Sequence, residues 1–151
     1  MSKITLGVII GNRDFFPDRL VAEARADVLK LFTEMDLDLV MISEEQGKGG
    51  SVETWAHAKE CAALFDAHRH EIDGVLVVLP NFGDERGVAD TIKLSGLHVP
   101  ILVQAYPDSL DELAVERRRD SFCGKISVCN NLGQYGFPFS LTEQHTVALM
   151  D

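Results

Sequence analysis

The sequence predicts a three-layer α/β/α fold built on a parallel, flavodoxin-like (Rossmann-like) sheet of strand order 2-1-3-4. Three observations carry this. Ile4–Ile10 and Val75–Leu79 are short, nearly continuous apolar runs rich in Ile and Val, the signature of strands covered on both faces. Between such runs lie stretches with apolar residues at helical spacing. The two kinds of segment alternate with short connections, which implies right-handed crossovers between parallel strands. A chain of 151 residues, 46% of them hydrophobic, can bury such a core without staples.

The elements follow in order. Ile4–Ile10 is the first strand, and Gly11-Asn12-Arg13-Asp14 is the turn after it. Pro17 suits the first turn of a helix, and Leu20, Val21, Ala24, Val28, Leu31, Phe32 and Met35 continue it to Met35. Leu37–Ile42 is the second strand. Ser43–Gly50 is a polar loop, with Ser51 a candidate cap for a helix carrying Val52, Trp55, Ala58, Ala62 and Phe65 and fading near His70. Val75–Leu79 is the third strand, and Pro80–Glu85 is its loop. Asp84 can cap a helix bearing Val88, Ile92 and Ser95, which Gly96 ends. Val99–Val103 is the fourth strand, and Pro107-Asp108 opens a short helix to about Arg117. Residues 1–119 thus form the Rossmann-like domain. After residue 119 the periodicity fades, so 120–151 reads as an extension, the start of a second domain cut short here. Its Phe122, Ile126, Val128, Phe137, Phe139 and Leu141 need cover that 32 residues cannot give themselves. The extension should therefore pack on the first domain, or on a neighbouring copy, as a strand or arm.

Charge and composition narrow the partners. Fourteen Lys and Arg against 24 Asp and Glu give −10, which disfavours nucleic-acid phosphate and anionic lipid, both of which need clustered cations. No apolar run approaches the roughly 20 residues of a membrane span, and the start has neither the length nor the cleavage site of a secretion signal. A cytoplasmic protein is expected. Cys61, Cys123 and Cys129 have no metal-site or redox spacing and read as reduced, buried thiols.

Motifs exclude more than they assign. Gly11 stands alone where a dinucleotide loop needs G-x-G-x-x-G. GNRDFF is not the phosphate loop of a flavodoxin, and a receiver domain would need paired acids after strand one. Gly47–Ser51 falls short of a P-loop and reads as a surface loop. His68 and His70, two apart, cannot share a helix face, and no G-x-S-x-G elbow exists. What remains is position. In a 2-1-3-4 sheet the crevice opens at the carboxyl ends of strands one and three. Those ends carry Asn12 and Arg13, and Asn81 and Phe82. A guanidinium fork beside a flat ring can take the hydroxyls and the C–H face of a polyol. The same residues also permit a bland arrangement, with Arg13 paired to Asp14 or Asp84 and Phe82 folded into the local core.

GVIIGNRDFFP (7–17), DGVLVVLPNFGDE (73–85), VPILVQAYPD (99–108) and RRDSFCGKISVCNNLGQYGFPFSLTEQHTV (118–147) together resemble the amino-terminal part of the L-fucose isomerase/L-arabinose isomerase family. The closest likeness is to its L-fucose isomerase-like branch. The last segment is the most specific, because no generic α/β sheet needs it. The resemblance implies a Rossmann-like amino-terminal domain in a longer, homo-oligomeric enzyme that interconverts aldoses and ketoses through an ene-diol. It implies Mn²⁺ in the full-length family, with metal ligands and catalytic carboxylates in later domains. No position here matches those, so this chain is expected to bind no cofactor, to hold no catalytic residue and to be inactive alone. The residues implied to meet a monosaccharide are Arg13 and Phe82, the latter where the fucose isomerases have Trp, with Asn12 and Asn81 beside them. The other reading is a non-catalytic sugar- or polyol-binding or oligomerisation module of the same ancestry.

Overall fold

The structure, a computed structural model, describes residues 3–151; Met1 and Ser2, where the first domain was expected to begin, lie outside the described residues. The elements are β1 (Thr5–Ile10), α1 (Arg19–Glu34), β2 (Asp38–Val40), α2 (Trp55–Ala67), β3 (Gly74–Leu79), α3 (Glu85–Ser95), β4 (Ile101–Ala105), α4 (Ser121–Gln134) and β5 (Ser140–Leu141). All strand pairs are parallel, in the order β2-β1-β3-β4-β5. The predicted 2-1-3-4 order is present with one strand added. None of the helices described is long and apolar enough to cross a membrane.

The pleat of the continuous apolar strands divides the core in two. Ile9, Val75, Val77, Leu79 and Val103 face α2, α3 and α4 with Ala58, Phe65, Val88 and Leu132. Val8, Ile10, Leu76 and Val78 face α1, where Val21, Ala24, Val28 and Phe32 lie at helical spacing. Val77 is fully buried, as its run predicts. Cys61 lies in the larger core, and burial pushes its thiol up to about 12, so it is unreactive near neutrality. Cys123 is exposed and Cys129 only partly covered, against the expectation of three buried thiols.

Several boundaries differ from the sequence reading. Helix α1 begins at Arg19 with Asp18 as its cap residue, so Pro17 precedes it. Strand β2 is three residues long, ending at Val40. Thr54, not Ser51, caps α2, its hydroxyl accepting the His57 N–H at 3.2 Å. Val52 lies outside the helix, in a bridge that lengthens β1: its N–H donates to Ile10 and its carbonyl accepts from Asn12. Residues 107–117 form turns instead of a helix. Leu110, Leu113 and Val115 are exposed there, so no apolar face pulls the segment onto the core. Asp108 closes the loop by accepting the N–H groups of Arg119 and Asp120.

Residues 120–151, expected as an extension, are one more helix and strand of the same sheet. The buried stripe of α4 is Ser121, Gly124, Lys125, Val128 and Leu132. Its spacing is helical, but three of its five members are small or charged, which hides it from a hydrophobicity pattern. Phe137 and Phe139 pack against the larger core, while Phe122, Ile126 and Leu141 stay exposed. Lys125 holds the tail by donating to Thr142 Oγ1 at 2.8 Å and to the His145 carbonyl at 2.9 Å. The Val147 N–H donates to the Ala105 carbonyl, and Gln104 Nε2 to that of Val147.

On the α1 side of β3 and β4, a groove of about 860 Å³ lies among Leu6, Phe32, Leu76, Leu102 and Leu149. It opens toward the amino ends of the strands, away from the crevice considered next.

Candidate functional site

Strands β1 and β3 pair from Leu6↔Gly74 to Ile10↔Val78, so the loops that follow them leave the sheet side by side. The Gly11 N–H donates to the Val78 carbonyl at 3.0 Å and fixes their relative height. In the β3 loop Gly83 takes φ +73°, and its N–H donates to Asn81 Oδ1 at 2.9 Å. A side chain there would be strained, so this glycine sets the turn that carries Phe82.

Two fully buried amides join the loops. Asn81 Nδ2 donates to Asn12 Oδ1 at 2.5 Å, and Asn12 Nδ2 donates to Glu53 Oε1. Glu53, from the turn before α2, is nine-tenths covered at its side chain. Burial raises its pKa, and Lys48 opposes that rise. The Glu53 N–H donates to His57 Nδ1. Asn12 and Asn81 are therefore the floor of the crevice: their amide groups are occupied with each other and with neighbours.

Arg13 and Phe82 stand above that floor. The guanidinium carbon lies 4.4 Å from the Phe82 ring centre, a cation–π separation. Arg13 Nη2 also donates to Glu85, the first residue of α3. The Arg13 side chain is 29% exposed and that of Glu85 23%, and Phe82 is half-buried. Neither sequence alternative is met in full. Arg13 does pair with an acid, but the acid is Glu85, not Asp14 or Asp84, and the pair is open to solvent. Phe82 is absent from both core clusters.

Other residues here escaped the sequence reading. Lys48, from the glycine-rich loop, lies 3.1 Å from Asp14, 3.1 Å from Asp18 and 3.6 Å from Glu53. Hydrogen bonds to Asp18 and Asp14 drive its pKa up. The loop is closed by paired backbone bonds between Lys48 and Ser51. Arg119, inside the segment that carries the family resemblance, donates to the Pro80 carbonyl at 3.0 Å and to Glu23 at 3.1 Å. It also stacks on Tyr106 at 5.0 Å. It thus ties the β3 loop to α1 and to the end of β4. Only long-range contact reveals these roles.

The result is a shelf with a fixed charge and a flat ring. Glu85 occupies one Arg13 nitrogen, and the remaining N–H groups can donate to oxygens laid against Phe82. Lys48 and Arg119 are held by carboxylates, so the edge suits hydroxyls better than a strongly anionic group. Among the described residues no group of three or more His, Cys, Asp or Glu side chains could hold a metal ion.

Residues 7–151 match a family model described as the fucose/sulfoquinovose isomerase, N-terminal domain. No curated protein compared with the chain matches it.

Proposed function

The chain belongs to the fucose/sulfoquinovose isomerase N-terminal domain family, and from that premise we propose that it is the substrate-pocket and assembly domain of a metal-dependent aldose–ketose isomerase. The observation that carries the reading is the Arg13–Phe82 shelf, built where a 2-1-3-4 sheet places its ligands. Sugar hydroxyls take hydrogen bonds from Arg13, and the C–H face of the ring lies on Phe82. Asn12 and Asn81 hold the two loops at the height this requires. Glu85 fixes the guanidinium before the ligand arrives, which lowers the ordering cost of binding.

In this reading Mn²⁺ would supply Lewis-acid polarisation of the sugar carbonyl, and carboxylates would move the proton through the ene-diol. The described residues bring no such ligand set together. In this reading those groups come from protein outside this chain, and the part played here is to bind and orient. The same reading makes the assembly a homo-oligomer in which Phe82 faces a neighbour's pocket.

Amide NMR with fucose tests the proposal. Resonances of Gly11–Arg13 and Asn81–Gly83 should shift saturably, and Arg13→Ala should remove the shifts. Silence at those positions up to about 100 mM sugar, far above a Kd of about 1 mM, would overturn it. Isomerase turnover by these 151 residues alone would overturn the division of labour.

A further inference from the structure

A second concave site lies on the same edge of the sheet, between the amino ends of α2 and α3. It is a cleft of about 310 Å³ lined by Glu53, Trp55, Asp84, Arg86, Gly87 and Asp90, at the small end of ligand pockets. We propose that this cleft is a subsite for a neutral polyhydroxylated ligand, with Trp55 as its stacking platform.

Trp55 is the first residue of α2, and it is 53% exposed although the sequence pattern places it on the buried stripe. An indole left open beside polar groups presents a face on which the C–H side of a sugar ring can lie.

The carboxylates are arranged to receive hydroxyls. Each has one oxygen committed to the protein. Asp84 Oδ1 accepts the Gly87 N–H at 2.6 Å, Asp90 Oδ1 accepts the Tyr135 hydroxyl at 2.8 Å, and Glu53 Oε1 accepts from Asn12. Their second oxygens accept no hydrogen bond among the described residues. Glu53, whose side chain is nine-tenths buried and lies 3.6 Å from Lys48 through the oxygen that Asn12 also holds, lines the cleft. Arg86, the cation of the wall, makes no salt bridge among the described residues and is exposed.

This mixture selects the ligand class. A hydroxyl both donates and accepts, so it satisfies carboxylates and guanidinium together. A bare cation would meet Arg86, and an anionic sugar would meet three carboxylates. Glu53 joins the cleft to the Arg13 shelf through Asn12, so ligand at one site bears on the floor of the other. The inference rests on the sugar reading above for its ligand class alone; the cleft stands on its own residues.

Trp55 is the sole tryptophan of the chain, so intrinsic fluorescence reports this cleft directly. Titration of the 151-residue protein with fucose should change the emission saturably. The change should persist in Arg13→Ala and weaken about tenfold in Glu53→Gln, the scale of one lost charge-assisted hydrogen bond. Sulfoquinovose, which carries a sulfonate, should produce none. Amide NMR on the same samples separates the failures. Shifts at Asn81–Gly83 with unchanged Trp55 emission would overturn the cleft and leave the shelf standing. No response in either readout would overturn both. An emission change that follows protein concentration instead of sugar would make Trp55 a contact between copies and overturn the subsite.

Discussion

Gly124 of α4 packs directly on the backbone of Phe82: a Cβ at position 124 would lie 1.8 Å from the Phe82 carbonyl oxygen and 2.6 Å from its Cα. The helix contributed by the last third of the chain thereby sets the position of the loop that bears the candidate ligand-facing ring. Backbone cannot yield as a flexible side chain can, so the contact requires glycine.

Gly124→Ala should destabilise the protein by about 1–3 kcal/mol or more, the range for overpacking a close contact. It should also displace the Phe82 loop. Urea denaturation measures the first effect, and amide shifts at Asn81–Asp84 measure the second. Wild-type stability in the alanine variant would mean that the two segments are not in contact.

Asn81→Ala removes the acceptor of the Gly83 N–H and the donor to Asn12 Oδ1, both in a buried setting. Each unsatisfied buried group costs about 1–3 kcal/mol. The variant should unfold at clearly lower denaturant with an unchanged m-value. Arg13→Ala, which deletes a partly exposed ion pair, should cost only about 0–1 kcal/mol. The contrast separates the floor of the crevice from its ligand-facing residues.

Burial raises the pKa of Glu53 above its ordinary value of 4.5. The folded state therefore holds this proton more tightly than the unfolded state. The resulting stability is fully present below the unfolded pKa and is lost as pH rises through the folded one. Glu53→Gln should abolish that share of the pH dependence. Subtracting its stability curve from that of wild type should show wild type losing ground as pH rises from about 4.5. A difference curve that instead rises with pH would show that Lys48 outweighs burial.

Lys125→Met should loosen the tail. The ammonium of Lys125 is bonded to Thr142 and His145 while burial lowers its pKa. Methionine fills a similar volume without those bonds. Hydrogen exchange at the Val147 N–H, which is bonded to Ala105, should accelerate, while exchange in β1 and β3 stays slow. Equal protection at Val147 in both proteins would place the hold on the tail elsewhere.

The sequence by itself determined the first four strands of the sheet and missed the fifth. Continuous apolar runs at β1 and β3 call for burial on both faces, and short alternating connections imply right-handed crossovers between parallel strands, with the flavodoxin-like order one choice consistent with them for the first four. Asp84 and Gly96 marked the ends of α3 by local chemistry alone: a carboxylate that accepts an early N–H, and a residue free to take φ +64°. Periodicity also located Arg13 and Phe82 at the same edge, because each lies in the loop that leaves a strand's carboxyl end. Tertiary structure decided the rest. Helix α4 was illegible because its buried stripe is Ser121, Gly124 and Lys125 as much as Val128 and Leu132, chosen for close approach and internal bonding, not for hydrophobicity. Residues 107–117 have helical composition but no surface to pack on. The partner of Arg13 proved to be Glu85, and Asn12 and Asn81 proved to bind each other. Such pairings join residues 69 to 72 positions apart, and their geometry exists only once the sheet has brought β1 and β3 together. Local pattern records which face a residue turns to the core; it holds no record of which distant polar group completes a hydrogen bond there.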